Sequence, residues 1–404
     1  MNTSCIALLA PYLPAPAHSG GRIRIHRFAE ALAKHFDVHL FAAVDEYEIR
    51  ENLKTPELGA YAAVHIELKR QSLFPWLGRP RRVRTVSPRR LVRAFLDADR
   101  CTPFKAAVVE HSHAASTLQY GRRIPWLLDE HNVESDYADA RSRALKCPLN
   151  AFRGRELAGL RRWEESLWKA ASEVVCVSSQ DARRVEVVRG RPAPVIPNGV
   201  CPEEVPFKKP SERTGFDILF VGILEHPPNA AAARWLAREV LPRVLQEEPR
   251  ARLILCGARP AREVLELAGE RIIVTGRVAS VTPYLESASV YANALKQGAG
   301  SSLKVLEALA SGIPLVSTTV GARGFELRSP EHYLGADDTA SFVGNILECF
   351  RDRKARDAAA ERGRSVAESC SWDKLSTRFV ELVQRVAYEP ATDFATAPTV
   401  LRAT

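Results

Sequence analysis

The chain alternates short apolar runs with segments whose apolar residues recur every three or four positions. The short runs predict buried strands, and the periodic segments predict helices. In the first half the predicted strands are residues 4–10, 38–44, 63–68, 106–110, 125–129 and 173–177. In the second half they are residues 217–222, 252–256, 271–274, 289–293 and 313–317. Two sets of strand–helix alternation predict an α/β protein with two Rossmann-like, doubly wound parallel sheets.

The helical segments lie between these strands and after the last one. They are residues 22–35, 134–172 as one or two helices, 178–188, 229–246, 262–268, 281–287, 302–310, 339–352, 354–369 and the amphipathic 372–388. We expect an N-terminal domain at 1–200, a C-terminal domain at 201–371 and a loose tail at 391–404, with the polar stretch 201–215 as linker. Two such domains would face a cleft at the carboxyl ends of their strands, where these folds bind ligands.

One stretch, Gly298–Gly312, combines a glycine-rich turn with the start of a helix. Ser301 and Ser302 stand where an N-cap would stand, and Gly312 followed by a proline ends the helix. A glycine-rich turn that leads into a helix N-terminus is an anion site, because free N–H groups and the helix dipole point the same way. The pattern therefore predicts a site for phosphate.

Lys304 and Glu307 add charge to this predicted site. A lysine in the first helical turn is unfavourable unless an anion binds there, and Glu307 lies on the same helix face three residues on. A cation for phosphate and a carboxylate that accepts two hydroxyl protons would suit a sugar nucleotide. The alternative is an ordinary helix start with a surface Lys–Glu pair, because glycine-rich helix starts are common and do not specify a ligand.

Composition narrows the class of protein. The 404 residues are 46% hydrophobic and 26% charged, an ordinary globular balance, and the net charge of +9 favours anionic partners. Eight scattered cysteines form no CxxC pair, so a structural zinc site is not expected, and they fit a reducing cytosol. We interpret the apolar N-terminus as a first strand and not a signal peptide, and no apolar run is long enough to span a bilayer.

Several segments together resemble a known enzyme family. They are ILFVG at 218–222, VTGRVASVTPYLESASVYANAL at 274–295 and GAGSSLKVLEALASGIPLVST at 298–318, with SGGRIRIHRFAEAL at 19–32, VVCVSS at 174–179 and VIPNGV at 195–200. The chain, over roughly residues 1–388, resembles the retaining family 4 glycosyltransferases (glycosyl transferases group 1) with the GT-B fold. The resemblance implies a nucleotide-sugar donor in the C-terminal domain, an acceptor in the N-terminal domain, and a last helix that packs back on the N-terminal domain.

The resemblance also implies roles for residues of this sequence. Glu307 corresponds to the glutamate that binds the donor ribose, Gly298–Ser302 to the diphosphate loop, and His131 to a histidine that often acts at the transfer site. From its charge at the helix start, we assign Lys304 as the catalytic cation on the diphosphate. The further donor-binding positions are Gly20, Gly21, Arg22, Gly222, Arg277, Val278, Gly298, Ala299, Gly300, Ser301, Ser302 and Leu303. Transfer in this family retains the anomeric configuration and usually needs no metal, so we expect no cofactor besides the nucleotide-diphosphate sugar as co-substrate.

The sequence departs from the family pattern at positions that bear on donor binding. Ala299 stands where the family commonly has a second glutamate, and Ile223 stands where it commonly has an arginine. The family's lysine a few residues later falls in the stretch 226–229, which contains none. One branch of the family reads GGGTRLKxLEA, and this chain is closer to that branch, with Ser302 in place of the arginine. These departures point to Lys304 as the main side-chain cation for the diphosphate.

Four further residues are acceptor-side or phosphate-side candidates. His111 and His113 follow a predicted strand, and Arg22 and Arg24 open a helix beside Gly20 and Gly21. Each has an ordinary alternative, since isolated histidines are often structural and helix arginines are often solvated. His131 has carboxylates nearby in sequence that would fix its tautomer.

A basic segment, residues 69–93, carries nine Lys and Arg and no acidic residue. Phe74 and Trp76 lie among them, so the segment suits an anionic membrane surface, each cation contributing about 1 kcal/mol. A mobile basic loop is the alternative, and nucleic-acid binding is disfavoured because no recognised module is present. We therefore expect a cytoplasmic protein that is peripheral on the inner face of the cell membrane.

Two functions from different classes remain open. The first is a retaining, metal-independent hexosyltransferase that moves a sugar to a glycan or lipid-linked acceptor in cell-surface polysaccharide or glycolipid synthesis. The second is a non-catalytic GT-B protein that binds a nucleotide or partners a true transferase, as Ala299 and Ile223 suggest. An epimerase on the same fold would need acid and base carboxylates that the sequence does not place.

Overall fold

The computed structural model describes residues 4–46, 48, 56–69, 83, 85, 86, 88–121, 123–144, 150–297 and 301–389. These form two compact units, the first from the described parts of Met1–Pro197 and Leu375–Thr404, the second from those of Asn198–Lys374. Each unit is built on a six-stranded parallel sheet with helices between its strands. The predicted α/β class with two Rossmann-like sheets is confirmed.

The first unit contains six strands and six helices in its described part. The strands are β1 Cys5–Ala10, β2 Asp37–Val44, β3 Ala63–Leu68, β4 Ala106–Glu110, β5 Trp126–Glu130 and β6 Glu173–Cys176. The helices before residue 198 are α1 Gly20–Leu32, α2 Arg89–Cys101, α3 Glu134–Ala144, α4 Asn150–Ala170 and α5 Ser179–Arg189. The last helix of the chain, Trp372–Tyr388, joins this unit from Leu375 onward.

The second unit repeats the alternation. Its strands are β7 Asp217–Val221, β8 Arg252–Cys256, β9 Ile272–Gly276, β10 Val290–Asn293, β11 Leu315–Ser317 and β12 Leu334–Gly335. Its helices are α6 Pro227–Trp235, α7 Leu241–Glu247, α8 Arg262–Leu265, α9 Thr282–Ser287, α10 Leu303–Ser311, α11 Thr339–Arg351 and α12 Asp357–Ser369, after which Trp372–Tyr388 is α13.

Both sheets have the same strand order. It is β3-β2-β1-β4-β5-β6 in the first unit and, read from the other edge, β9-β8-β7-β10-β11-β12 in the second. Every described pairing between these strands is parallel. This is the order of dinucleotide-binding folds, in which ligands bind outside the carboxyl ends of the strands where the order reverses. That point lies between β1 and β4 in the first unit and between β7 and β10 in the second.

The central strands are nearly continuous apolar runs because helices cover both faces of a parallel sheet. All six residues of β1 are buried, and Ile6, Ala7 and Leu8 are fully so. The last helix adds to the core of the first unit, where Phe379 stacks on Phe28 with ring centroids 4.1 Å apart. The expected return of the last helix to the N-terminal half is confirmed.

Three local features differ from the sequence prediction. Helix α1 begins at Gly20 and not at Arg22, so both glycines lie in its first turn. Helix α2 was not predicted, because exposed arginines interrupt the apolar pattern in the sequence. The helix buries Leu91, Val92 and Phe95 on one face. The predicted helix 229–246 is interrupted by a π-helical turn at Leu236–Val240. Pro242 follows that turn and supplies no N–H for a regular helical bond.

The stretch 201–215 packs as part of the second unit and is not a free linker. Arg213 is 2% exposed, and its guanidinium donates to the carbonyl oxygens of Leu285, Ala288 and Ser311. The boundary between the two units falls earlier, after Pro197. A buried arginine with several carbonyl partners was not visible in the polar composition that suggested a linker.

Candidate functional site

In the second unit, helix α10 begins just after the predicted glycine-rich turn. Ser302 is its N-cap residue without a side-chain cap, Leu303 is its first residue, and Gly312 ends it at φ 71°. The Ser301 hydroxyl accepts instead from the N–H of Asn198 at 3.0 Å, in the segment VIPNGV at 195–200. Gly298, Ala299 and Gly300 lie outside the described residues. The predicted helix with its glycine end is thus present. The N–H of Val305 donates to the carbonyl oxygen of Ser302 at 3.0 Å, and the first N–H groups of any helix lack the regular partner four residues earlier.

Lys304 is half-buried in the first turn of α10 and points at the neighbouring helix α6. Its Nζ donates to Asn229 Oδ1 at 3.1 Å and lies 5.1 Å from the ring centroid of Phe220 on β7. Burial lowers the pKa of Lys304 to about 8, although Glu307 opposes this. A partly desolvated ammonium at a helix N-terminus is a receptor for an anion.

Glu307 lies one turn further along α10 and is half-buried. Burial raises its pKa, and Lys304 acts in the opposite direction. The ion pairs found among the described residues include none between Lys304 and Glu307, and the Lys304 amino group turns to Asn229 instead. An exposed Lys–Glu surface pair, the alternative from the sequence, does not describe these two side chains.

The remaining donor-side candidates of this unit surround the ends of β7 and β9. Gly222 follows β7, and a Cβ there would lie 2.8 Å from Asn229 Nδ2, so any side chain at this position would require Asn229 to move. Arg277 is exposed and Val278 half-buried, both directly after β9. Gly222 thus lies beside the residue that contacts Lys304, whereas no recorded contact connects Arg277 or Val278 with Lys304.

In the first unit, His131 lies in a cluster of buried charged groups after β5. Its Nε2 is 2.7 Å from Glu110 Oε2, at the end of β4, and 3.3 Å from Asp129 Oδ2. Arg24 donates from Nε and from a terminal nitrogen to both oxygens of Asp129, each at 2.7 Å. The carboxylates orient the imidazole, and Arg24, which is fully buried, holds Asp129 instead of facing an acceptor.

The pKa values of the two carboxyls in this cluster, Glu110 and Asp129, are shifted in opposite directions. Burial raises the pKa of Glu110 well above its ordinary value, and the negative charge of Asp129 adds to that rise. Burial alone would also raise the pKa of Asp129, but Arg24 and His131 together bring it below its ordinary value. Two carboxyls whose pKa values are pushed apart beside a histidine form an arrangement suited to proton transfer.

His111 forms a second, adjoining group. Its Nε2 lies 3.1 Å from the Tyr12 hydroxyl, its Nδ1 lies 3.1 Å from Glu134 Oε1, and its ring centroid lies 4.0 Å from that of His131. Burial, with His131 next in effect, lowers the pKa of His111. The backbone of His111 has φ 64°, a strained value for a residue with a side chain. Such strain concentrates at functional sites.

The other first-unit candidates lie around this group. The ring centroid of His113 is 5.2 Å from that of His111. Gly20 and Gly21 lie in the first turn of α1, and a Cβ on Gly21 would overlap Tyr12 and lie 3.5 Å from His131 Nδ1. The structure therefore brings Gly21, His111 and His131 together at the carboxyl ends of β1, β4 and β5.

Arg22, a donor-side candidate, is turned to internal partners. Its guanidinium pairs with Glu48 and lies 5.6 Å from the centroid of the Tyr12 ring. The side chain is only 10% exposed. Arg22 in this structure supports the loop after β1, and any contact with a phosphate would require this ion pair to change.

Among the residues that the structure describes, two clusters each offer three metal-type ligand atoms within 4.8 Å of one another. In the cluster of Glu110, Asp129 and His131, Arg24 occupies both oxygens of Asp129, which disfavours a second cation. His111, His113 and Glu134 have the nitrogen and oxygen donors that zinc takes. The absence of a metal requirement stays a prediction.

Sequence reasoning missed three residues of these sites. Glu110 is the last residue of β4, Tyr12 follows β1, and Asn229 lies in the first turn of α6. For Glu110 and Tyr12, the position at the carboxyl end of a parallel strand was a usable signal, whereas Asn229 lies in the helix that follows β7. What the sequence lacked was the side-chain direction, which decides that Glu110 and not Glu130 contacts His131.

Among the helices of the described residues, none combines the length and the hydropathy needed to cross a bilayer.

Both halves of the chain match family profiles. Residues 18–204 match "Glycosyltransferase Family 4", and residues 215–352 match "Glycosyl transferases group 1". Two Rossmann-like sheets with polar groups at the carboxyl ends of their strands are an architecture that binds ligands at those ends. The chain belongs to the group 1, family 4 glycosyltransferases, as the motifs in its sequence suggested.

Two curated relatives match parts of the chain. A phosphatidyl-myo-inositol mannosyltransferase from Mycobacterium leprae is 24% identical over 249 residues, 59% of this chain and 64% of that protein. An uncharacterized 44.6 kDa protein in the cps region of Klebsiella pneumoniae is 25% identical over 160 residues, 36% of this chain and 41% of that protein. The chain thus spans less than two thirds of the length of these relatives.

Solved structures share the fold over nearly the whole chain. Sucrose-phosphate synthase from Thermosynechococcus elongatus superposes with a TM-score of 0.68 at 16% identity, covering 95% of this chain and 99% of that one. Anabaena HepE in complex with UDP-glucose superposes with a TM-score of 0.66 at 14% identity, covering 94% and 99%. At these identities the likeness establishes the GT-B fold alone.

Proposed function

We propose that the protein transfers a sugar from a nucleotide-diphosphate sugar to a glycan or lipid-linked acceptor, with retention of the anomeric configuration. The observation that carries the proposal is Lys304, a half-buried ammonium in the first turn of α10, with Glu307 one turn further on. The family supports sugar transfer as the reaction, and the UDP-glucose complex of a protein with the same fold supports the donor class.

On the donor side, Lys304 and the first-turn N–H groups of α10 bind the diphosphate. Negative charge grows on the diphosphate as the glycosidic bond breaks, so a fixed cation there stabilises the transition state more than the ground state. Glu307 accepts hydrogen bonds from the ribose hydroxyls. The turn at Gly298–Gly300, with Ala299 in place of the usual glutamate, completes the diphosphate loop in this proposal.

On the acceptor side, His131 with Glu110 and Asp129 orients the acceptor or stabilises charge that develops during transfer. His111 and His113 line the same end of the sheet and belong to the acceptor pocket in this proposal. Transfer proceeds without a metal, since Lys304 supplies the positive charge. Activity in excess EDTA equal to that without EDTA is the expected result, and loss of activity that zinc or magnesium restores would contradict it.

A lipid-linked acceptor would bring the protein to a membrane surface, and the basic segment 69–93 is suited to that contact. Residues 70–82, 84 and 87 lie outside the described residues, including most of these cations. The C-terminal end of the segment, residues 89–93, forms the start of α2. Arg89, Arg90 and Arg93 are exposed there, opposite a buried apolar stripe. The name of the phosphatidyl-myo-inositol mannosyltransferase relative supports a lipid as the acceptor, and the proposal places the reaction in synthesis of cell-surface polysaccharide or glycolipid.

A second candidate is a non-catalytic member of the family that binds a nucleotide. Ile223 favours it, because an apolar residue stands at the end of β7 where the family commonly has an arginine. The two candidates share the donor site and differ in turnover. The test is therefore a binding measurement followed by a turnover measurement.

The experiment begins with thermal shift against UDP-, GDP- and ADP-sugars. A bound donor at a hundred times its dissociation constant stabilises the folded protein by about 2.7 kcal/mol. The sugar nucleotide that stabilises most is then tested for hydrolysis and for transfer to lipid-linked acceptors. Transfer supports the enzyme, binding without turnover supports the second candidate, and no binding of any sugar nucleotide contradicts both.

A further inference from the structure

Asn229 connects the loop after β7 with Lys304. It lies in the first turn of α6, is 9% exposed, and its Oδ1 accepts from Lys304 Nζ at 3.1 Å. Its Nδ2 donates to the carbonyl oxygen of Ile223 at 2.9 Å. One buried amide thus contacts both the end of the first strand of the second unit and the ammonium of α10.

The orientation of this amide is determined by its partners. The Ile223 carbonyl can only accept, and the Lys304 ammonium can only donate, so the NH₂ group must face Ile223 and the oxygen must face Lys304. The absence of a side chain at Gly222 leaves room for this amide, since a Cβ there would lie 2.8 Å from Asn229 Nδ2. Asn229 therefore holds one position, and Lys304 Nζ is held with it.

We propose that Asn229 is the positioning residue that holds the Lys304 ammonium at the carboxyl end of β7 for the donor diphosphate. The inference rests on the proposed function, because it gives Lys304 the diphosphate as its ligand. A neutral amide oxygen suits this task. It orients the ammonium and stabilises its charge without neutralising it, so the full charge remains for an anion.

The surroundings of Lys304 make Asn229 its main polar partner among the described residues. The ring of Phe220 on β7 lies 5.1 Å away, and Glu307 on α10 is the charged group that acts on the lysine. Burial lowers the pKa of Lys304 to about 8, so the loss of a hydrogen bond to the charged form should lower it further. A carboxylate in the same place should raise it.

The first measurement is the pKa of Lys304 in the full chain, followed by NMR of ¹³C-labelled lysine and assigned with Lys304→Arg. Asn229→Ala should lower this pKa and Asn229→Asp, which is isosteric, should raise it. Asn345→Ala is the matched control, since Asn345 Nδ2 also donates to a backbone carbonyl, that of Gly335, in the same unit. It should leave the pKa of Lys304 unchanged.

The second measurement is the affinity for UDP-glucose by calorimetry at pH 7. Both Asn229 variants should lose affinity by about tenfold or more, Ala because Lys304 is no longer held and Asp because its charge opposes the diphosphate. In the Lys304→Ala background, Asn229→Ala should cause little further loss, because Asn229 acts through the lysine.

The outcomes separate this inference from the proposed function. A pKa of Lys304 that is the same in wild type, Asn229→Ala and Asn229→Asp overturns the role of Asn229, as do additive losses in the double variant. Wild-type protein that binds neither UDP-glucose nor any other sugar nucleotide contradicts the proposed function. In that case the pKa measurement still decides whether Asn229 positions Lys304.

Discussion

His131 Nε2 lies 2.7 Å from Glu110 Oε2, although the two residues are 21 positions apart in the chain. Glu130, the immediate sequence neighbour of His131, points elsewhere and accepts from Trp168 Nε1 at 3.0 Å. Successive residues of a strand face opposite sides of the sheet, so Asp129 and Glu130 at the end of β5 cannot both reach the histidine. The adjoining parallel strand β4 supplies the second carboxylate instead.

This geometry leads to a prediction for turnover. His131→Ala should lower kcat by about a hundredfold or more, because a positioned acid–base or orienting group contributes about that much. Glu110→Gln should lower kcat by less, since an amide oxygen still accepts from His131 Nε2. Steady-state kinetics with saturating donor provide the measurement, and donor affinity by calorimetry should change little in both variants.

Glu130→Gln serves as the matched control for that series. Glu130 is adjacent to the histidine in sequence, and its side chain is directed at Trp168. Its turnover should equal that of wild type. Normal turnover in His131→Ala, or an equal loss of turnover in Glu130→Gln, would contradict a role for His131 in sugar transfer.

Lys304 should affect both donor affinity and kcat, whereas Glu307 should affect mainly donor affinity. Lys304→Ala should weaken donor binding and also reduce kcat by about a hundredfold, since the diphosphate is anionic in the bound donor and gains further negative charge as the bond breaks. Glu307→Gln should mainly raise the donor KM, because ribose hydroxyls do not change charge and hydrogen bonds to a charged acceptor contribute about 1.5–3 kcal/mol. Thermal unfolding of both variants controls for folding. If both fold and bind donor as wild type does, Gly298–Gly312 is not the donor site.

Donor binding should weaken as the pH rises through about 8. The pKa of Lys304 is about 8, below its ordinary value, so the amine is an ammonium below that pH and loses its charge above it. The logarithm of the donor dissociation constant should therefore rise above pH 8 with a slope approaching about one per pH unit. Calorimetry between pH 6.5 and about 9.5 measures this. Lys304→Arg should flatten the profile, and an unchanged slope in that variant would assign the titration to another group.

The buried carboxyl of Glu130 should make the stability of the first unit depend on pH. Burial raises the pKa of Glu130 well above its ordinary value, and Glu164 adds to that rise. A raised pKa in the folded state contributes stability below the unfolded pKa, and this stability is lost as pH rises toward the folded pKa. Glu130→Gln should therefore gain stability relative to wild type as pH rises from about 5 to about 8. Urea unfolding followed by tryptophan fluorescence tests this, and a difference independent of pH would contradict it.

The exposed arginines of α2 should contribute to binding of anionic vesicles. Replacing Arg89, Arg90 and Arg93 by Ser should lower partitioning to vesicles with anionic lipid by about a hundredfold, at about 1 kcal/mol for each cation. Replacing Arg79, Arg81, Arg82 and Arg84 should act in the same direction. Vesicle sedimentation provides the measurement, with neutral vesicles expected to bind little of any variant.

A matched control for the vesicle experiment removes the same charge elsewhere. Arg238, Arg243 and Arg262 are exposed in the second unit. Their replacement by Ser should leave partitioning to anionic vesicles close to that of wild type. Equal losses in both triple variants would mean that net charge alone governs binding and that segment 69–93 is not a membrane contact.

Much of the fold and half of the site could be predicted from the sequence. The strands appeared as short apolar runs because both faces of a parallel sheet are buried, and α10 was marked by its serines and by Gly312. Lys304, Glu307 and His131 could be selected because charge at a helix start and polarity after a strand are local features. The start of α1, helix α2 and the short strand β12 were missed or misplaced, since their signals depend on what they pack against.

The partners of these residues were decided only by the tertiary structure. The sequence by itself determined two parallel sheets, the order of their elements and the residue types at their carboxyl ends. Which side chains meet there depends on strand order and on the direction of each side chain, and both arise from contacts between residues far apart in the chain. Glu110 reaches His131 because β4 and β5 are adjacent, and Asn229 reaches Lys304 because α6 follows β7 at the point where the strand order reverses. Burial then shifted the pKa values of these side chains. The free-energy cost of a buried charge depends on the surrounding groups, and no local sequence pattern specifies those.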